Sequence, residues 1–169
     1  NTVERALKRF EREAKSLAKL NHLNIVKVMD YGEFEGQPYL VMPYLQGGTL
    51  KELLQGEPMD WQEASQLLIP IAKALGYAHQ REVIHRDVKP ANILITETGE
   101  PLLTDFGVAK IIDDEATMDL TGTHATVGTP EYMAPEQITA KSVDHRADIY
   151  ALGIVFYEMV TGRKPFQAD

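Results

Sequence analysis

Between residues 85 and 105 the chain sets four polar side chains at short, fixed separations: Asp87, Lys89, Asn92 and Asp105. Each type has a distinct chemical use. A carboxylate such as Asp87 can orient a hydroxyl or take its proton. The amide oxygen of Asn92 and the carboxylate of Asp105 are hard oxygen donors of the kind magnesium takes when phosphates and water complete its shell. Lys89 adds a positive charge for an anion. Together they suit transfer of a phosphoryl group to a hydroxyl, which asks a protein for positioning and charge stabilisation more than for covalent chemistry. Taken singly, each residue is more simply a turn former or a solvated charge. Their order and context are what argue for a site.

Composition sets the outer bounds. The 169 residues suffice for one domain with a substantial core, and 44% hydrophobic with 25% charged residues is ordinary for a globular protein. With no cysteine, disulfides and thiolate chemistry are excluded. A net charge of −8 without a basic stripe argues against a nucleic-acid partner. The longest apolar run, Ala151 to Val160, is interrupted by Glu158 and is too short to span a bilayer, so no membrane segment is expected in this chain. Neither a signal peptide nor an internal repeat is visible.

The elements that must position these residues can be read from periodicity and caps. Asn1 and Glu4 make a capping box, and Val3, Ala6, Leu7, Phe10, Ala14 and Leu17 recur at helical spacing, which predicts a helix over 2 to about 19. Strands are expected at 25–34 and 38–42, joined by the Glu35-Gly36-Gln37 turn. Gly47-Gly48 breaks the pattern, and Thr49 caps a short helix to about Gln55. Asp60 and Glu63 open a long helix through Ala78, which Pro70 should bend. Residues 83–84, 93–96 and 101–104 read as short strands, with Thr98-Gly99 turning between the last two. Residues 105 to about 136 lack a clean period and form a long loop, a length that is usually functional. A helix from about Asp144 to Thr161, apolar on most of its circumference (Ile149, Leu152, Ile154, Val155, Phe156, Met159, Val160), belongs in the middle of a core and ends at Gly162. The fold class is α+β, with a small lobe at 1–42, a connection at 43–48 and a larger lobe at 49–169.

The motifs His85-Arg86-Asp87 with Asn92, Asp105-Phe106-Gly107 and Ala134-Pro135-Glu136, in that order, resemble the catalytic half of a protein kinase, most of all the bacterial serine/threonine type. The resemblance implies a bilobal protein-kinase-like fold, ATP and Mg2+ (or Mn2+) as cofactors, and Ser/Thr-bearing proteins as substrates. It makes Asp87, Lys89 and Asn92 catalytic and Asn92 and Asp105 metal ligands. It assigns Glu13 to the ATP-anchoring lysine, and Met42, Pro43, Leu45, Leu94 and Asp105 to the nucleotide pocket. Asp148 matches an aspartate that accepts backbone hydrogen bonds from the catalytic loop, and an aspartate on so apolar a helix needs a buried partner in any case. Glu136 is structural, and Leu17, Val28, His85 and Phe106 match the apolar column that links the lobes. Two positions depart from the pattern: Glu82 stands where relatives usually have glycine, and Pro43 replaces a common glutamate.

The same resemblance implies regulation. Arg9, Arg86 and Lys110 match cations that converge on a phosphate in the activation loop, with Thr121 and Thr123 the best-matched phosphosites among Thr117, Thr121, Thr123 and Thr126. Surface ion pairing of those cations is the plainer alternative. Thr129 matches a threonine that shapes the substrate site beside Asp87 and Lys89. The positions where arginine-selecting kinases carry acids hold Thr49, Ala91 and Glu158, so strong upstream-arginine selectivity is not expected. A homodimer for autophosphorylation is compatible with this pattern. The catalytic domain is expected to be cytoplasmic, tethered in many bacterial relatives to a membrane segment that would lie beyond residue 169.

The glycine-rich phosphate loop and the Val-Ala-Ile-Lys strand of such kinases have no match here, since Gly32, Gly36, Gly47 and Gly48 all follow the first helix. The sequence is therefore expected to be a piece of a longer kinase, running from the helix that bears Glu13 to just past the apolar helix, and inactive and aggregation-prone by itself. A scaffold module without phosphotransfer is the main alternative, and retention of Asp87, Asn92 and Asp105 argues against it. A small-molecule phosphotransferase is disfavoured by the long threonine-bearing loop.

Overall fold

A computed structural model describes residues 2–107, 130–139 and 142–166, with the side chains of Thr2 and Val3 left out. Asn1, Lys110, Thr117, Thr121, Thr123, Thr126 and Thr129 lie outside the described residues, so the capping box at Asn1 and the activation-loop assignments do too. Helix α1 (Thr2–Ala18) buries Ala6, Phe10, Ala14 and Leu17, the stripe expected from the spacing. The hairpin β1 (Asp30–Phe34) and β2 (Gln37–Val41) turns on Glu35 and Gly36, at φ 50° and 78°. Both positive values suit the tight turn whose twist matches the strands. Residues 25–29, expected to extend β1, are not strand. Ile25 and Val28 are buried by packing under α1, and the backbone of 24–26 docks instead on Leu103 (Val26 N–H to Leu103 O, 2.9 Å; Leu103 N–H to Asn24 O, 2.8 Å).

Strand β3 (Gly47–Thr49) occupies the segment expected to be a simple break and pairs antiparallel with β4 (Ile93–Thr96), which pairs with β5 (Pro101–Leu103). Thr49 then caps α2 (Leu50–Leu54) in a reciprocal box with Glu52. Helix α3 (Trp61–His79) starts on Asp60, which accepts from the Gln62 amide rather than forming a box with Glu63, and runs through Pro70 without a break. Residues 83–84 are not a strand: Val83 is buried by packing, with its amide bonded back to Ala78 O. After the described gap come α4 (Pro135–Ile138) and α5 (Arg146–Thr161).

One apolar cluster joins α2, α3, β4, β5 and α5 through Leu50, Ile71, Leu75, Ile93, Leu103, Val155 and Met159. A second joins α1 and Val28 to Ala74, Ala78 and Val83, from both sides of 43–48. The expectation that α5 is buried all round is corrected. It buries Asp148, Ala151, Val155 and Met159 on one face, while Ile149 is 58% and Phe156 37% exposed on the other. No described element packs over that second face.

The loop after α1 is tied to α3 at one point. The Asn21 amide donates to the Tyr77 hydroxyl at 3.0 Å, and the Arg81 guanidinium lies 3.6 Å over the Tyr77 ring. Glu82 adopts φ 59°, a left-handed conformation that explains why glycine is usual there and that costs a glutamate about 1 kcal/mol.

Candidate active site

The catalytic loop runs from His85 to Asn92 and ends in a 3-10 turn, Pro90–Asn92, that leads into β4. Asp148 on α5 organises its start. Asp148 is 1% exposed, and its Oδ2 accepts from the His85 amide at 2.9 Å and lies 2.7 Å from His79 Nε2. Its Oδ1 accepts from the Arg86 amide at 2.9 Å. Three donors therefore satisfy a carboxylate that could not otherwise be buried. Two of them are successive backbone N–H groups, and the chain turns directly after them at Arg86, left-handed at φ 68°. That conformation costs about 1–2 kcal/mol for a residue with a Cβ. The buried carboxylate offsets the cost.

His85 is fully buried and bridges its own loop and the residue after β5. Its Nδ1 accepts from the Asp87 amide at 3.0 Å, which leaves Nε2 as the protonated nitrogen, 2.8 Å from Thr104 O. Burial lowers its pKa below the ordinary 6.5, opposed by the charge of Asp148, the bond to Thr104 and the charges of Asp87 and Asp105. The folded ring thus stays neutral where the unfolded one takes up a proton. Its contribution to stability is complete above about pH 6.5 and is lost as pH falls below it, at up to about 1.4 kcal/mol per pH unit. Urea midpoints at about pH 7.5 and about pH 5.5 should show this loss, and His85→Gln should shrink the difference between them. An equal pH dependence in the variant would place the effect elsewhere.

Asn92 is buried, and its Nδ2 donates to Asp87 O at 2.8 Å and to Asp87 Oδ2 at 3.1 Å. Lys89 Nζ lies 3.7 Å from the same Oδ2. Both Asn92 protons are spent on Asp87, so Oδ1 is the atom it offers a cation. The Asn92 carbonyl accepts from the Thr104 amide at 3.0 Å, which places Asp105 directly beside the catalytic loop. Asp105 is exposed and left-handed at φ 53°. Gly107 closes the turn: its amide donates to His85 O at 2.8 Å, and a Cβ there would meet that oxygen at 3.2 Å. An amide oxygen and a carboxylate, facing the same side and both hard donors, fit a magnesium ion whose other ligands are phosphate and water.

A cleft of about 440 Å3 opens here, lined by Asp87, Asn92 and Asp105 on one wall and by Phe10, Leu17, Val28 and Met42 on another. The Phe106 ring packs on the His85 ring at 4.4 Å and against the apolar cluster that contains Leu17 and Val28. Glu13 is half-buried, on the α1 face that carries Phe10 and Leu17. Pro43 and Leu45 are exposed and Leu94 lies on the face of β4 opposite Ile93; none of the three lines the cleft. Arg9 and Arg86 are half-buried, on α1 and the catalytic loop respectively. Glu136 is partly exposed in the first turn of α4.

Beside the catalytic loop, the Tyr132 hydroxyl donates to Glu158, and Lys164 pairs with Glu131 at 3.2 Å. Burial, then Glu158, pushes the Tyr132 phenol above its ordinary range. Sequence reasoning missed His79 and Gln137. The only hint of His79 was an imidazole ending an apolar helix. Gln137 holds the third position of α4, where capping boxes carry Glu or Gln, but Ala134 in place of Ser or Thr hides the motif.

The fold and this constellation are those of a protein kinase catalytic segment. The profile of the protein kinase domain family matches residues 1–169. The chain is 45% identical over 166 residues to the serine/threonine-protein kinase PknB of Mycobacterium leprae, covering 95% of this chain and 26% of that protein. It is 40% identical to the probable serine/threonine-protein kinase PknB of Bifidobacterium longum, covering 96% and 25%. The crystal structure of the Mycobacterium tuberculosis PknI kinase domain superposes with a TM-score of 0.77 at 33% identity, over 97% of this chain and 59% of that one. The chain belongs to the protein kinase family, among the bacterial serine/threonine kinases. It spans about a quarter of the length of the curated relatives it matches. No helix among the described residues is long and apolar enough to cross a membrane.

Proposed function

We propose that the protein transfers the γ-phosphate of ATP to serine and threonine hydroxyls of other proteins, from a cytoplasmic catalytic domain. The carrying observation is the pair of hydrogen bonds that Asn92 Nδ2 donates to the backbone carbonyl and the carboxylate of Asp87, beside Lys89 and Asp105. Asp87 orients the acceptor hydroxyl and takes its proton. Lys89 neutralises charge next to it. Met42, on the cleft wall, would meet adenine, while Pro43, Leu45 and Leu94, assigned to the same pocket by the resemblance, lie outside the described lining; Glu13 would face the phosphates through an anchoring lysine. Asn92 and Asp105 would hold a magnesium ion, which would supply neutralisation of phosphate charge. Glu158, the single acid among the three arginine-selecting positions, is engaged by the Tyr132 hydroxyl, which supports weak selectivity for upstream arginine. The full-length protein with labelled ATP should yield phosphoserine and phosphothreonine on a protein acceptor. Nucleotide binding without transfer would favour the scaffold reading.

Regulation by the loop between Asp105 and Pro130 belongs to the same proposal. A phosphate on Thr121 or Thr123 would meet Arg86 with Arg9 and Lys110, in charge-assisted hydrogen bonds that order the loop. Thr129 would then shape the acceptor site. Thr121→Ala combined with Thr123→Ala should lower the specific activity of the full-length protein by about tenfold, the equivalent of about 1.4 kcal/mol of lost ordering. Activity unaffected by phosphatase treatment would remove this switch. Two copies phosphorylating each other would make the rate of activation rise with protein concentration.

A further inference from the structure

We infer that Gln137, on α4, is a positioning residue for Asp87. Both ends of its side-chain amide are engaged. Gln137 Oε1 accepts from the Ala134 amide at 2.9 Å, and Gln137 Nε2 donates to the Arg86 carbonyl at 3.2 Å. The first bond caps the short helix. The second reaches across 51 residues to the catalytic loop.

The Arg86 carbonyl belongs to the peptide unit whose N–H is that of Asp87. That N–H is held by His85 Nδ1 at 3.0 Å. The preceding peptide is held by Asp148 through the Arg86 N–H at 2.9 Å. Arg86 is left-handed at φ 68°, so its flanking peptide planes have a nearby, more favourable alternative orientation. Rotation of the Arg86–Asp87 plane would swing the Asp87 side chain away from Asn92 and Lys89. His85 restrains the N–H edge of that plane and Gln137 its carbonyl edge, while Asp148 holds the peptide before it. Because Gln137 sits seven residues beyond Pro130, the same bond couples the segment following the long loop to the orientation of Asp87.

Gln137→Glu and Gln137→Leu separate the two bonds. Glutamate keeps an acceptor for the Ala134 amide and sets a carboxylate against the Arg86 carbonyl; leucine removes both bonds. In the full-length protein, Gln137→Glu should leave the melting temperature unchanged. Deuterium uptake by peptides spanning 84–88 should rise, with uptake in α3 unchanged. Gln137→Leu should show the same local rise with a lower melting temperature. Unchanged uptake at 84–88 in both variants, or a uniform rise across the chain, would overturn the inference. This readout needs no phosphotransfer, so it stands even if the proposed activity fails. Where transfer is measured, and resting on that reading, Gln137→Glu should lower kcat about tenfold with KM for ATP unchanged. A kcat within about twofold of the parent would overturn it as well.

Discussion

Asp148→Ala should destabilise the protein by about 3–5 kcal/mol, enough to unfold much of a domain whose total stability is about 5–15 kcal/mol. The reason is what the substitution leaves behind. The His85 amide, the Arg86 amide and His79 Nε2 all lose their acceptor at a site that is 1% exposed. Each unsatisfied buried donor costs about 1–3 kcal/mol. The left-handed Arg86 also loses the interaction that offsets its strain. Asp148→Asn should be milder, since one oxygen remains, but its amide nitrogen must then face a donor. Urea denaturation of the full-length protein and both variants would measure this. An Asp148→Ala midpoint equal to the parent would mean that water or a rearranged loop satisfies these donors.

Asp87→Asn should reduce phosphotransfer by about 10²–10⁴-fold, the range a positioned general base contributes. It should leave folding and nucleotide affinity nearly unchanged. Asparagine matches aspartate in shape, and the Asp87 backbone bonds to Asn92 and His85 survive it. The variant loses the negative charge beside Lys89 and the ability to take a proton. Steady-state transfer rates, read beside fluorescence titration with an ATP analogue, separate the two effects. Loss of nucleotide affinity equal to the loss of rate would reassign Asp87 from the reaction to binding. Retention of full activity would remove it from the site.

Much of this was readable because it is local. Thr49 with Glu52, Asp60 before an apolar stripe, and Gly162 after one mark α2, α3 and α5 within a few residues of their ends. The hairpin at Glu35-Gly36 follows from alternation and a turn-forming pair. Short segments buried by neighbours were not readable. Residues 25–28 and 83 have the composition of strands, yet Ile25, Val26, Val28 and Val83 are buried by packing while the amides of Val26 and Val83 bond to Leu103 O and Ala78 O. Gly47-Gly48 looked like a break and is a strand, because β4 supplies the ladder. Helix α5 looked central in composition, but only one of its faces is covered by described residues.

The sequence by itself determined the chemistry on offer: a carboxylate, an amide, a lysine and a second carboxylate at spacings set by one loop and one hairpin. Spacing along a chain is covalent, and it survives any uncertainty about packing. Only the tertiary structure decided what holds that chemistry still. Asp148 meets His85 and His79 across 63 and 69 residues, and Gln137 meets Arg86 across 51. The left-handed turn at Arg86 is held by those distant partners, which offset its local strain. Local preference disfavours such conformations, so nothing short of the folded contacts could have specified them.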